Sequence, residues 1–143
     1  MTLGDLPPWA RELVEGARVA RLGLLDERDE PRILPVTFAA HEGALWSAVD
    51  RKPKRAAEPA RVRRLRRNPR ASLLVDAYSD AWESLAWIEL RGRVTVLEAS
   101  DAPAALEALA AKYEQYRVEP PPGPLLRLAP ERFACWRAAD AAR

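Results

Sequence analysis

A hydroxyl followed by a run of cations is the feature of this sequence best suited to gripping a phosphate. Ser47, Ala48 and Val49 end a β-rich segment, and Asp50, Arg51, Lys52, Pro53, Lys54 and Arg55 follow at once, just ahead of a basic helical stretch. Lysine and arginine form charge-assisted hydrogen bonds to phosphate oxygens, and the start of a following helix adds free backbone N–H donors and a favourable dipole. The competing reading is a solvated basic face over residues 51–70, inflated by the codon bias of a GC-rich genome, since alanine, arginine and proline abound throughout the chain. The order of the residues favours the phosphate: the hydroxyl lies near a strand end, proline fixes the turn, and lysines are mixed with arginines.

Trp82, Trp87 and Tyr78 lie on or beside one pair of β-rich runs, with Trp46 on a preceding hairpin. Tryptophan buries a large area yet tolerates a polar neighbour, so this set suits a pocket for a flat ring, a subunit interface or simple core packing. The lone histidine, His41, argues against multi-histidine zinc sites and against Ser-His-Asp or Cys-His hydrolysis. The neighbouring carboxylates Asp26 and Glu27, and Asp29 and Glu30, fall in polar turn sequence, where solvated charge is the expected role. With no protein nucleophile in view, an enzyme built on this chain would draw its reactivity from a bound cofactor.

The chain has 143 residues, 48% hydrophobic and 31% charged, with a formal net charge of +2, which suits one globular domain spanning residues 1–143. Cys135 is the single cysteine, so no intrachain disulfide forms and a reducing cytoplasm is the expected compartment. The first residues lack a basic segment leading into an apolar one, and no run of about 18 apolar residues occurs, so neither secretion nor membrane spanning is expected.

The elements that must position these groups are read from periodicity and punctuation. Residues 8–16 read as a short helix with proline in its first turn and Gly16 as its stop. Residues 19–25 alternate as a strand, and residues 31–40 form a β-rich run in which Pro35 demands an edge or a bulge. The pair Glu42 and Gly43 turns that run into residues 44–49 as an antiparallel hairpin. A narrow-faced basic helix over residues 59–67 buries Val62 and Leu65 and ends at Asn68 and Pro69. Two long β-rich runs follow, residues 71–78 and 85–97. Ser100 or Asp101 caps a helix carrying Leu106, Leu109, Ala110 and Tyr113 at helical spacing. Residues 120–124, nearly all proline, are an extended connector to a last strand near residues 133–137. Sequential strands without regular helical crossovers predict a mainly β, α+β or barrel architecture with about three peripheral helices, and they disfavour a Rossmann fold.

These segments together give the chain a family resemblance. Arg32-Ile-Leu-Pro35-Val36-Thr37-Phe38, Leu45-Trp46-Ser47-Ala-Val-Asp50, Lys52-Pro-Lys54-Arg55 and Arg64-Leu-Arg-Arg67-Asn-Pro69-Arg-Ala71-Ser-Leu-Leu-Val75-Asp76, continuing to Tyr78-Ser-Asp80-Ala-Trp82, occur in an order and spacing that resemble the pyridoxamine 5'-phosphate oxidase-like split-barrel proteins. Within them, the chain is similar to the group thought to use the deazaflavin coenzyme F-420. The resemblance covers nearly the full length and implies a six-stranded antiparallel split β-barrel of the FMN-binding kind, dimerised through a broad face with two cofactor sites between the subunits. By position it implies that Pro35, Val36 and Thr37 present backbone and hydroxyl groups to the ring, that Ser47 faces the ribityl or phosphate region, and that Lys52, Lys54 and Arg55 hold the phosphate. Trp82 and Trp87 match positions where the opposite subunit closes over the ring. The chain departs from true pyridoxamine phosphate oxidases in its short length and in ending Phe133-Ala-Cys-Trp-Arg-Ala-Ala-Asp140, without the Arg-rich substrate segment.

The resulting expectation is a homodimeric oxidoreductase that passes hydride between F-420 and a small electron-poor acceptor, with FMN as the alternative cofactor and a non-catalytic carrier or sensor as a further alternative. Backbone donors near Val36 and Thr37 would stabilise charge developing on ring or substrate. A nucleic-acid surface on Arg61, Arg63, Arg64, Arg66 and Arg67 is the weakest of the readings, because no aromatic residues are interleaved with them.

Overall fold

A computed structural model describes residues 1–49 and 58–141. Among these, α1 (Pro8–Gly16), β1 (Ala20–Leu25), β2 (Pro31–Val36), β3 (Ala39–His41), β4 (Ala44–Ala48), α2 (Ala60–Arg67), β5 (Arg70–Ala77), β6 (Ala86–Leu97), α3 (Pro103–Lys112), α4 (Glu114–Val118), β7 (Leu125–Arg137) and α5 (Ala138–Ala141) follow in order. The strands form one antiparallel sheet in the order β2-β1-β5-β6-β7-β4-β3. The fold is thus mixed α+β, with an open sheet of seven strands and five α-helices among the described residues, where six strands closed as a barrel and about three helices were expected.

The extra strand comes from the run at residues 31–40. Pro35 lies on edge strand β2, the kind of strand in which a sheet accommodates proline. The regular pairing with β1 stops at Val36, and the chain resumes at Ala39 as β3 on the opposite edge of the sheet. Thr37 and Phe38 make the crossing. The hairpin at Glu42 and Gly43 is as expected: both residues have positive φ, 49° and 75°, and Ala39 to His41 pair with Trp46 to Ala44. A two-residue loop with φ above zero at both positions matches the twist of its flanking strands.

The sheet curls strongly, because strands far apart in its order share one core. Leu22 of β1, Leu45 of β4, Leu73 and Val75 of β5, Ile88 and Leu90 of β6 and Leu126 and Leu128 of β7 meet in a single cluster, with Val14 of α1 and Leu65 of α2 packed into it. Its interior void is only about 10 Å³, so side chains fill it and no planar ligand fits inside. A second cluster lies on the other side of β3, β4 and the start of β7. There Ala39, Trp46, Ala48 and Leu125 pack against Ala105 and Leu109 of α3 and against Tyr113. With both faces covered, β4 is buried along its whole length.

Three segments read differently in the structure. The helix over residues 103–112 starts without a side-chain cap, so neither Ser100 nor Asp101 holds it, and Tyr113 sits at its C-terminal boundary instead of inside it. Helix α4 follows where none was expected. The last strand begins at Leu125, not near Phe133, and its first half buries Leu126, Leu128 and Pro130 while Arg127 and Ala129 are half-buried. No helix among the described residues is long and apolar enough to cross a membrane.

A pocketed sheet face as the candidate functional site

Strand alternation sends every second residue of β1, β5 and β6 away from the core. On that outer face lie Arg21 and Gly23 of β1, Ser72, Leu74 and Asp76 of β5, and Trp87, Glu89 and Arg91 of β6. Two adjoining pockets open there. One, of about 520 Å³, is lined by Gly23, Ile33, Leu74, Tyr78, Trp87 and Glu89 among others. The other, of about 590 Å³, contains Gly23, Ile33, Ser72 and a group of arginines. Both volumes fall in the range of small-molecule sites.

The floor is open because Gly23 has no side chain. A Cβ placed there would meet only Ser72 and Arg32 atoms, at 3.7 to 3.9 Å, so space exists above the strand. Trp87 and Tyr78 supply flat apolar surface on one side and Ile33, 69% exposed, on the other. Arg21 stands 3.6 Å from Asp76, which balances the charge at this end. Apolar surface from Ile33, Leu74, Tyr78 and Trp87, rimmed by the charged Arg21, Asp76 and Glu89, suits a ring system with polar substituents.

The residues expected from sequence to bind a cofactor divide into three groups. Pro35 and Trp87 reach this outer face: Pro35 pairs with Arg21 across β1 and β2, and Trp87 lines the same pocket as Arg21. Trp82 lies in the turn before β6 and is 74% exposed, outside both pockets. Val36 faces the core, while Thr37 and Ser47 are tied to each other and to α4. The Ser47 hydroxyl donates to the Thr37 carbonyl at 2.7 Å, and the Thr37 hydroxyl is 2.7 Å from the Tyr116 hydroxyl. Lys52, Lys54 and Arg55 lie outside the described residues.

Tyr116 was not singled out from the sequence and Tyr113 only for its helical spacing, yet the two fix the crossing between β2 and β3. The Tyr113 hydroxyl accepts the Phe38 N–H at 3.1 Å, and its one proton is shared between the carbonyls of Arg18 at 2.8 Å and Phe38 at 3.0 Å. Burial raises the Tyr113 pKa above its ordinary value. The ammonium of Lys112 lies 3.9 Å from the Phe38 ring centroid, without a hydrogen-bond partner. Burial, with the Arg18 cation nearby, lowers its pKa to about 8. The only sequence signal for this hub was the helical spacing that placed Tyr113 beside Leu109.

The basic helix is closely engaged. Arg64 bonds Glu27 at 3.1 Å, Arg66 bonds Glu58 at 2.8 Å, and Arg67 reaches the Asp26 carbonyl at 3.0 Å and Asp29 at 3.2 Å. The contacts of Arg64 and Arg67 fasten α2 to the turn between β1 and β2. That turn is closed by Asp26, whose carboxylate accepts the N–H groups of Arg28 and Glu30. The same two bonds hold its pKa below the ordinary carboxylate value.

Fold and face together define a class: an antiparallel α+β sheet protein whose interior is filled and whose larger pockets open on the outside of the sheet. Residues 6–137 match the family described as Pyridoxamine 5'-phosphate oxidase, and the chain belongs to that family. Among solved structures, a conserved hypothetical protein from Mycobacterium tuberculosis aligns with a TM-score of 0.75 at 17% identity, over 92% of this chain and 84% of that one. An FAD-binding protein from Mesorhizobium loti aligns with a TM-score of 0.68 at 17% identity, over 91% and 94%. An F420 reductase aligns with a TM-score of 0.65 at 19% identity, over 90% and 98%. No curated protein matches the chain at a significant level.

Proposed function

We propose that this protein is a homodimeric oxidoreductase that binds a flavin-type cofactor, coenzyme F-420 in the first instance, and passes hydride to a small electron-poor acceptor. The observation that carries the reading is the planar groove over Gly23, bounded by Trp87, Tyr78 and Ile33, on the outer sheet face of a member of the pyridoxamine 5'-phosphate oxidase family. A glycine floor and an aromatic wall fit a flat ring. Lys52, Lys54 and Arg55 are the cations assigned to its phosphate.

When bound, the cofactor would supply the two-electron chemistry that no side chain here offers. The protein's own contribution is orientation: the groove sets the plane of the ring, and the backbone near Pro35 lies at its rim on the edge strand. A second copy of the chain over this open face would exclude water from the ring, and Trp82, already exposed, is available to reach across. FMN is the second reading, supported by the FAD-binding structural neighbour.

Titration of the purified full chain with F-420 and with FMN, followed by difference absorbance, tests this. Saturable spectral change with F-420 supports the first reading, and change with FMN alone supports the second. No change with either would end both. Sedimentation of the same samples should report a dimer.

A further inference from the structure

We propose that the arginine-lined pocket is an anion site of its own, taking a small molecule with two or more carboxylate or phosphate groups. The proposal does not depend on the redox reading, which assigns the cofactor phosphate to Lys52, Lys54 and Arg55.

The sheet register is the first observation. Arg70 of β5 pairs directly with Arg93 of β6, and Arg91 of β6 pairs directly with Arg132 of β7. Arg91 and Arg93 are two residues apart on one strand, so both like-charged pairs share the outer face. Like charges directly opposite one another across a sheet are destabilising, so this arrangement works against the fold unless something anionic lies between them.

The internal carboxylates answer only part of that charge. Glu89 approaches Arg91 and Glu131 approaches Arg93, each through Nε at 3.4 Å. The Nε of Arg91 is shielded from solvent and has no hydrogen-bond acceptor. Arg70 and Arg132 form no ion pair with any described residue. Arg70, Arg91, Arg93 and Arg132 all line the 590 Å³ pocket together with Arg32 and Glu131, and Gly23, which carries no side chain, leaves space above β1.

A local irregularity places the last pair. The register slips between Arg91 and Gly92, so that Arg91 faces Arg132 while Gly92 faces Pro130, and Glu131 is the extra residue of a β-bulge. Bulges turn a strand's side chains to new directions and recur beside functional sites. Gly92 is required there, since a Cβ would collide with the Ala129 carbonyl oxygen.

Guanidinium forks match carboxylate and phosphate geometry two bonds at a time. The concave shape suits a compact polyanion better than an extended nucleic-acid strand. The anion is either a separate molecule or the anionic part of whatever occupies the neighbouring groove, which shares Gly23, Ile33 and Ser72 with this pocket.

Calorimetric titration of the full chain with citrate and with pyrophosphate at low salt provides the test, alongside the double variant Arg70→Gln/Arg132→Gln. The expected result is saturable binding of at least one probe, weakened about tenfold or more in the variant, while the ligand-free variant melts at the same or a higher temperature because repulsion is relieved. Citrate bound together with the redox cofactor identifies a separate molecule, and mutual displacement identifies one molecule spanning both pockets; each result supports the site. No binding of either probe, equal binding by the variant, or a variant that melts lower would overturn it. So would a single-stranded DNA oligonucleotide that binds more tightly than both probes and is lost in the variant.

Discussion

Where β3, β4 and the start of β7 face outward they carry Ala39, Trp46, Ala48 and Leu125, and α3 lies over them with Ala105 and Leu109. Where β1, β5 and β6 face outward they carry Arg21, Ser72, Asp76, Glu89 and Arg91, and two pockets open above them. One sheet thus has an outer surface made for packing and another made of charges, a glycine floor and aromatic walls. The covered surface contributes stability through apolar burial. The open surface retains like-charged pairs and exposed aromatics that a purely structural sheet would gain by losing, and that contrast is the physical reason for placing function there.

Breaking the comparison at its structural base should have the largest effect. Gly92→Ala drives a methyl into the Ala129 carbonyl at the bulge, and we expect a loss of about 3 kcal/mol or more, or failure to fold, in urea denaturation. On the covered surface, Leu109→Ala leaves a cavity beneath α3 and should cost about 2–5 kcal/mol with cofactor affinity unchanged. Tyr113→Phe removes the acceptor of the buried Phe38 N–H and should cost about 1–3 kcal/mol. It also loosens the crossing that carries Thr37.

On the open surface the expected pattern reverses. Gly23→Val meets only ordinary van der Waals contacts, so stability should move by no more than about 0.5–1 kcal/mol, while absorbance titration should show cofactor affinity falling sharply. The smallest effect concerns pH. Lys112 has a folded pKa lowered to about 8 from 10.5, so the folded state releases this proton first. Burying the ammonium therefore opposes folding below about pH 8, and that cost fades as pH rises toward the ordinary lysine value. Lys112→Met should melt higher than the parent at pH 7, with the difference shrinking by pH 10.

The sequence disclosed most of the elements, because each had its own punctuation: Pro8 and Gly16 around α1, Glu42 and Gly43 at the hairpin, Asn68 and Pro69 after α2. It hid the break at Thr37 and Phe38, since a β-rich run shows no sign that its two ends belong to opposite edges of the sheet. The start of β7 was hidden because Pro124 directly precedes it and Pro130 interrupts it, and prolines read along a chain as connector, not strand. Of the residues that the family resemblance pointed to, Pro35 and Trp87 lie on the outer face. Gly23 and the arginine pairs were not legible, because cross-strand register, which alone brings Arg70 opposite Arg93 and Arg91 opposite Arg132, is invisible along a single strand. Thr37 and Ser47 were visible as hydroxyls, but not as partners of one another.

Hydrogen exchange of the full chain, with and without whichever redox cofactor the titration selects, addresses the central claim most directly. Slowed exchange in β5 and β6 around Leu74 and Trp87, with α3 unchanged, is the predicted outcome. Protection confined to α3 and α4, with the strands beneath Gly23 and Trp87 unaffected, would contradict the assignment of the open face.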